Sequence, residues 1–328
     1  MYSNVGLLRY AKSSGGKLVG THQKLDKAAR RTLMTLTKHK VYFPTTKEIL
    51  HFEGSRGPDG LKRKSPGVDE PMHFILPDHD DGRLWGYIEN HMYNLRAALL
   101  ACQPQATSVH SSKTSPQSVS EPQLSDQPEV RAAFEAAWLA HVITDGLTPA
   151  HHFPYERAVS ELMSDQDYVT VFGQPIKGIM KGSTATETAV KNWKYWGPEG
   201  LMSKHIVFEY GVALIVTAEG WDAIRPEITR RDLKDLDFKR EFYNSLQKIH
   251  ALDMYTRFRQ DGWTPELGRE TKNLPIPEIV RAITLGWYAC LPDPHAATPK
   301  TSKRRSASPS KPASSTSAAP SKESSHHA

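Results

Sequence analysis

Cysteine is scarce: two in 328 residues, Cys102 and Cys290, far apart and in no C-x-x-C pair. That argues against both a thiolate zinc site and a disulfide-stapled small domain. Long apolar runs are missing as well, since no uninterrupted stretch approaches the roughly 18 residues that span a bilayer. Residues Met1 to Leu18 lack an apolar h-region, so the sequence carries no signal peptide and no transmembrane segment and implies a cytoplasmic address. Internal repeats and runs of short strands with hairpin turns are also absent. A net charge of +6 suggests an anionic partner until it is located. Between Ala296 and Ala328 stand six bases (Lys300, Lys303, Arg304, Arg305, Lys311, Lys322) and one acid, Glu323, so the tail holds nearly all of the excess.

What is present is helical periodicity. Thr21 to Leu36 places Leu25, Ala29, Leu33 and Leu36 at three- and four-residue steps, which puts His22 in the first turn of a helix. Arg83 to Ala101 repeats the pattern. Pro128 to Asp145 reads as an alanine-rich buried helix that starts on proline and is stopped by Gly146. His205 to Ala218, Asp232 to Arg259 and Pro277 to Cys290 add further helical segments. Residues 53–82 read as a long loop, 103–127 as a disordered Ser/Gln/Pro insertion and 153–204 as a loop-rich excursion. The fold class is all-α, with one domain over 1–295 and a disordered basic Ser/Pro/Ala/Lys tail over 296–328.

Fifteen histidines invite a search for ligands. His141 and Asp145 stand four apart on one helix face, the geometry that lets two donors meet one cation. Their surroundings are apolar, where an unpaired carboxylate is costly. His205 and Glu209 repeat the arrangement among Ile206, Val207 and Phe208. His151 follows Asp145 by six residues, the loop adds Asp59 and His73, and the first helix adds His22. Five histidines and three carboxylates without thiolate fit zinc of the catalytic kind, and eight donors hold more than one ion. His79, His91 and His152 match no ligand position, with His152 placed behind the ligands.

The string His141-Val-Ile-Thr-Asp145-Gly-Leu-Thr-Pro-Ala-His151 resembles the HxxxDxxxxxH signature of the zinc-dependent phospholipase C and single-strand nuclease family. His205-xxx-Glu209 is similar to that family's last ligand pair, and Pro71-Met-His73-Phe to its loop histidine segment. Asp59, fourteen residues before His73, resembles the loop aspartate, with Asp69 as the alternative. The resemblance runs from about residue 20 to 290. It implies one zinc on Asp59, His73, His141 and Asp145, a second on His151, His205 and Glu209, and a third on His22 with Asp145 bridging. It further implies a phosphodiester hydrolase in which metal-bound hydroxide attacks phosphorus, with Asp59 as the catalytic residue that orients or deprotonates the water.

Two features depart from the family. No tryptophan precedes His22, where family members bind the third zinc through a mature N-terminal Trp, so two to three ions are implied, with Tyr10 as a possible substitute ligand. The spacer from His151 to His205 is long, and its Trp193 and Trp196 could stack on a base or cover a lipid head group. The expected substrate is a phospholipid head group, with single-stranded nucleic acid or a nucleotide as the alternative. A non-catalytic, metal-stabilised binding protein is the rival from another class. The tail could make weak contact with an anionic surface.

Overall fold

The computed structural model describes residues 20–53, 57–59, 73–80, 82–103, 127–162 and 180–292, and among these the regular elements are all helical. Residues 296–328, most of the 103–127 stretch, Tyr10 and Asp69 lie outside the described residues. In chain order the helices are α1 (Thr21–Leu36), α2 (Thr46–His51), α3 (Arg83–Ala101), α4 (Pro128–Gly146), α5 (Tyr155–Leu162), α6 (Ala185–Trp196), α7 (Leu201–Glu219), α8 (Arg230–Lys234), α9 (Phe238–His250), α10 (Met254–Asp261), α11 (Pro265–Asn273) and α12 (Pro275–Cys290). One-turn 3-10 segments occupy Pro149–His152 and Trp221–Ala223.

Helix α4 is the axis of the molecule. Pro128 presets its first turn, and Ala132, Ala133, Ala136, Ala137 and Ala140 let neighbours approach its backbone closely. Helices α1, α2, α3 and α12 pack around it. Trp287 of α12, fully buried, donates its indole N–H to the carbonyl of Ala136 at 2.9 Å, so even the bulkiest core side chain has its polar atom satisfied. Leu33, Ile88, Leu95, Leu139, Ile143, Phe242 and Ile283 fill the same core, each worth about 1.5–3 kcal/mol on burial.

Gly146 lies inside the last turn of α4 rather than beyond it. A Cβ there would sit 2.9 Å from Leu84 Cδ2 and 3.1 Å from Phe242 Cζ, so a larger residue would force these two side chains to shift.

The stretch expected to be loop-rich, 153–204, carries α5, α6 and the start of α7. Residues 163–179 lie outside the described residues, and the glycines described stand at helix ends: Gly182 precedes α6, and Gly197 and Gly200 separate α6 from α7. Thr184 caps α6 by accepting the Glu187 N–H. The hydroxyls of Tyr155 and Tyr195 meet at 2.5 Å and tie α5 to α6.

The segment read as one helix over 232–259 breaks twice, because Asp237 caps α9 and Asp253 adopts φ +46°, a left-handed conformation that no helix interior contains. Ala185–Ala218 is long and apolar enough, by length and composition alone, to cross a membrane. Two helices share it, and the second carries His205 and Glu209.

Candidate metal centre

The expected ligands arrive from five places. His22 stands in the first turn of α1, Asp59 and His73 on the segments between α2 and α3, and His141 and Asp145 one turn apart near the C-terminus of α4. His151 lies in the 3-10 turn after α4, and His205 and Glu209 lie one turn apart on α7. The fold brings all eight together. Three groups have donor atoms mutually within 4.8 Å and could each hold a metal ion: His22, His141 and Asp145; Asp59, His73 and His141; and His151, His205 and Glu209.

Asp145 is the hinge between these groups. Its Oδ2 lies 2.5 Å from His73 Nδ1 and 3.3 Å from His141 Nε2, while its Oδ1 lies 3.4 Å from His22 Nε2 and 4.0 Å from His151 Nε2. Glu209 Oε1 lies 3.0 Å from His151 Nε2 and 3.1 Å from His205 Nε2. The rings of His22 and His141 stack at 4.1 Å, and the His73 ring meets His141 edge-on at 5.3 Å. His151 donates from Nδ1 to the carbonyl of His73, which points its Nε2 at the two carboxylates.

The electrostatics are those of ionisable donors gathered in a buried space. Burial penalises the Asp145 charge, but His151, His141 and His22 outweigh it and hold that carboxyl well below the usual range. Burial also lowers His141, yet Asp145 and Glu53 raise it well above an ordinary histidine. His205 goes the other way, pushed down to about 4 by burial. Nδ1 of His22 and Nδ1 of His205 are buried without a hydrogen-bond partner. So many imidazoles around two carboxylates are costly as a packed interior and sensible as a cation cage. A cavity of about 30 Å³, lined in part by His22, Asp145, Glu209, Thr144 and Thr148, reaches both the α4 and the α7 groups. The donor set therefore fits a metal.

Two buried carboxylates escaped the sequence reading. Glu53, just beyond α2, places Oε2 3.4 Å from His141 Nδ1. Asp26, one turn after His22 on α1, is 2% exposed with neither oxygen hydrogen-bonded. Its carboxyl is pushed well up by burial and by the charge of Glu53. Glu53 stands 88 positions from His141, and no spacing rule connects them.

Among the histidines set aside, His91 pairs with Glu135 at 2.6 Å, with Arg131 on the other Glu135 oxygen, and His79 is exposed. His152 bonds the Gly146 carbonyl through Nε2 at 3.0 Å, behind the ligand His151. Trp193 is 69% exposed, and Trp196 packs edge-on against Tyr195. Cys102 and Cys290 are free thiols outside the three groups. Comparison with known proteins returned no match: no family model, no curated protein and no solved structure is similar to this chain.

Proposed function

We propose that this chain is a zinc-dependent phosphodiester hydrolase of the phospholipase C type. The observation that carries the reading is the gathering of eight nitrogen and oxygen donors into three groups that could each hold a metal ion. Neutral imidazole and carboxylate without thiolate suit zinc, and the ordered set of motifs resembles that of the phospholipase C and nuclease family. His22, Asp59, His73, His141 and Asp145 would hold one or two ions, and His151, His205 and Glu209 another.

Divalent cations, when bound there, supply positive charge for a phosphate's non-bridging oxygens and acidify water. The protein's own part is orientation and proton handling. Asp145 fixes four imidazoles about one point, and the His73 carbonyl keeps the His151 ring in register. Asp59 has the most exposed side chain of the three carboxylates, at 12% against 5% for Asp145 and 10% for Glu209. It stands where it can take a proton from water arriving at the cluster.

The test is metal analysis with hydrolysis of a chromogenic phosphodiester. Two or three zinc per chain and activity lost in His141→Ala support the reading; stoichiometric metal without hydrolysis supports a metal-stabilised binding protein instead. Parallel assays on phosphatidylcholine vesicles and single-stranded DNA separate the phospholipase from the nuclease.

A further inference from the structure

One short piece of chain reaches both nitrogens of the His141 ring. Asp59 Oδ1 lies 3.8 Å from Nε2 on the cluster side, and Glu53 Oε2 lies 3.4 Å from Nδ1 on the opposite side. Gly57 lies against the backbone of Phe52 and Glu53. A Cβ on that residue would stand 2.7 Å from the Phe52 carbonyl oxygen and 2.9 Å from Glu53 Cα, distances at which backbone must move. Phe52 anchors the arrangement, its ring edge-on to Phe134 at 5.6 Å, and Phe134 lies two helical turns before His141 on α4. Glu53 is itself almost wholly buried, its side chain 1% exposed.

We propose that Glu53 is the positioning residue of His141: it accepts the Nδ1 proton and so fixes the ring with its Nε2 lone pair facing Asp59 and Asp145. The inference rests on the metal-centre reading above and adds to it a residue outside the eight expected ligands. His151 supplies the parallel on the same page of structure, its Nδ1 donating to the His73 carbonyl while Nε2 faces Glu209. In both rings the rear nitrogen is engaged and the front nitrogen is left for a cation. Outer partners of this kind govern affinity and ring orientation without touching the ion. Gln at position 53 retains an acceptor oxygen, whereas Ala removes it.

The experiment measures zinc affinity by competition with a chromogenic chelator in wild type, Glu53→Gln and Glu53→Ala. The visible spectrum of the cobalt-substituted proteins and the thermal melts are recorded beside it. Glu53→Ala is expected to weaken one zinc about 10- to 100-fold and to alter the cobalt spectrum, with Glu53→Gln close to wild type. Wild-type affinity and spectrum in a folded Glu53→Ala protein overturn the proposal. If Glu53→Ala does not fold, nitrogen NMR of the His141 ring in the wild-type protein at alkaline pH decides. A proton on Nδ1 supports the proposal, and a proton on Nε2 overturns it. That measurement needs no metal, so a chain that binds no zinc defeats the functional reading while the role of Glu53 is still judged.

Discussion

Helices α4 and α7 each present a histidine and a carboxylate one turn apart, yet they hold them in different ways. From Glu135 to Gly146 every residue of α4 is buried, Val142, Ile143 and Asp145 among them. Helix α7 is covered on one side only: His205 and Phe208 are buried while Val207, Tyr210 and Leu214 are exposed. Nδ1 of His141 meets Glu53 Oε2 at 3.4 Å, whereas Nδ1 of His205 has no hydrogen-bond partner. The same ligand spacing can thus belong to a fixed half and a looser half of one centre.

The largest effect expected from breaking this contrast is at Asp145, the carboxylate of the α4 half. Asp145→Ala should release metal from that half and lower phosphodiester hydrolysis on the order of 10³-fold, read by metal analysis and kinetics. Glu209→Ala should release metal from the α7 half alone.

Metal removal should come next. A chelator withdraws ligand linkage worth about 4 kcal/mol when free zinc stands a thousandfold above its Kd, which calorimetry would register as a fall in Tm of roughly 10 °C.

Acid separates the halves in the stripped protein. His205 has its pKa pushed to about 4 by burial, below the value of about 6.5 for an unfolded histidine. Between those values the unfolded chain binds more protons, so the contribution is intact above about pH 6.5 and is lost as pH falls toward 4. His141, raised well above the ordinary value, contributes in the opposite sense: its share is present at low pH and lost as pH rises through its folded pKa. Replacing His205 by Gln should flatten the acid limb of a denaturation series; an unchanged limb would mean another group carries it.

A paired substitution sharpens the packing contrast. Val142→Ser, at a fully buried site, should cost about 2–3 kcal/mol, and Val207→Ser, at 51% exposure, within about 0.5 kcal/mol. Urea denaturation measures both. A modest effect of opposite sign is expected at Asp26, whose buried oxygens lack hydrogen-bond partners: Asp26→Asn should raise stability by about 1 kcal/mol or less.

Much of this was legible in the order of residues. Apolar steps of three and four located α1 and α3 at their observed limits, and the alanine-rich run located α4, because these helices bury one continuous stripe or their whole surface. The i, i+4 pairs stood out because charge in an apolar run demands a partner. Helices α5 and α6 were hidden by glycines that punctuate helix ends rather than fill a loop, and α9 and α10 by a break at Asp253 that is visible only in its backbone angles. Glu53 and Asp26 were invisible for another reason. A carboxylate that supports a ligand from behind obeys no sequence interval, since its partner is chosen by folding.

Gly146 makes the fixed half answerable to residues far from any ligand. Leu84 and Phe242 press on the spot where a methyl group would stand, one residue past Asp145. Neither touches a donor atom, but they work as set screws on the end of the helix. A bulkier or smaller side chain at either would retune the cage from outside, so surveys of impaired variants should find hits in this apolar seam as well as among the histidines.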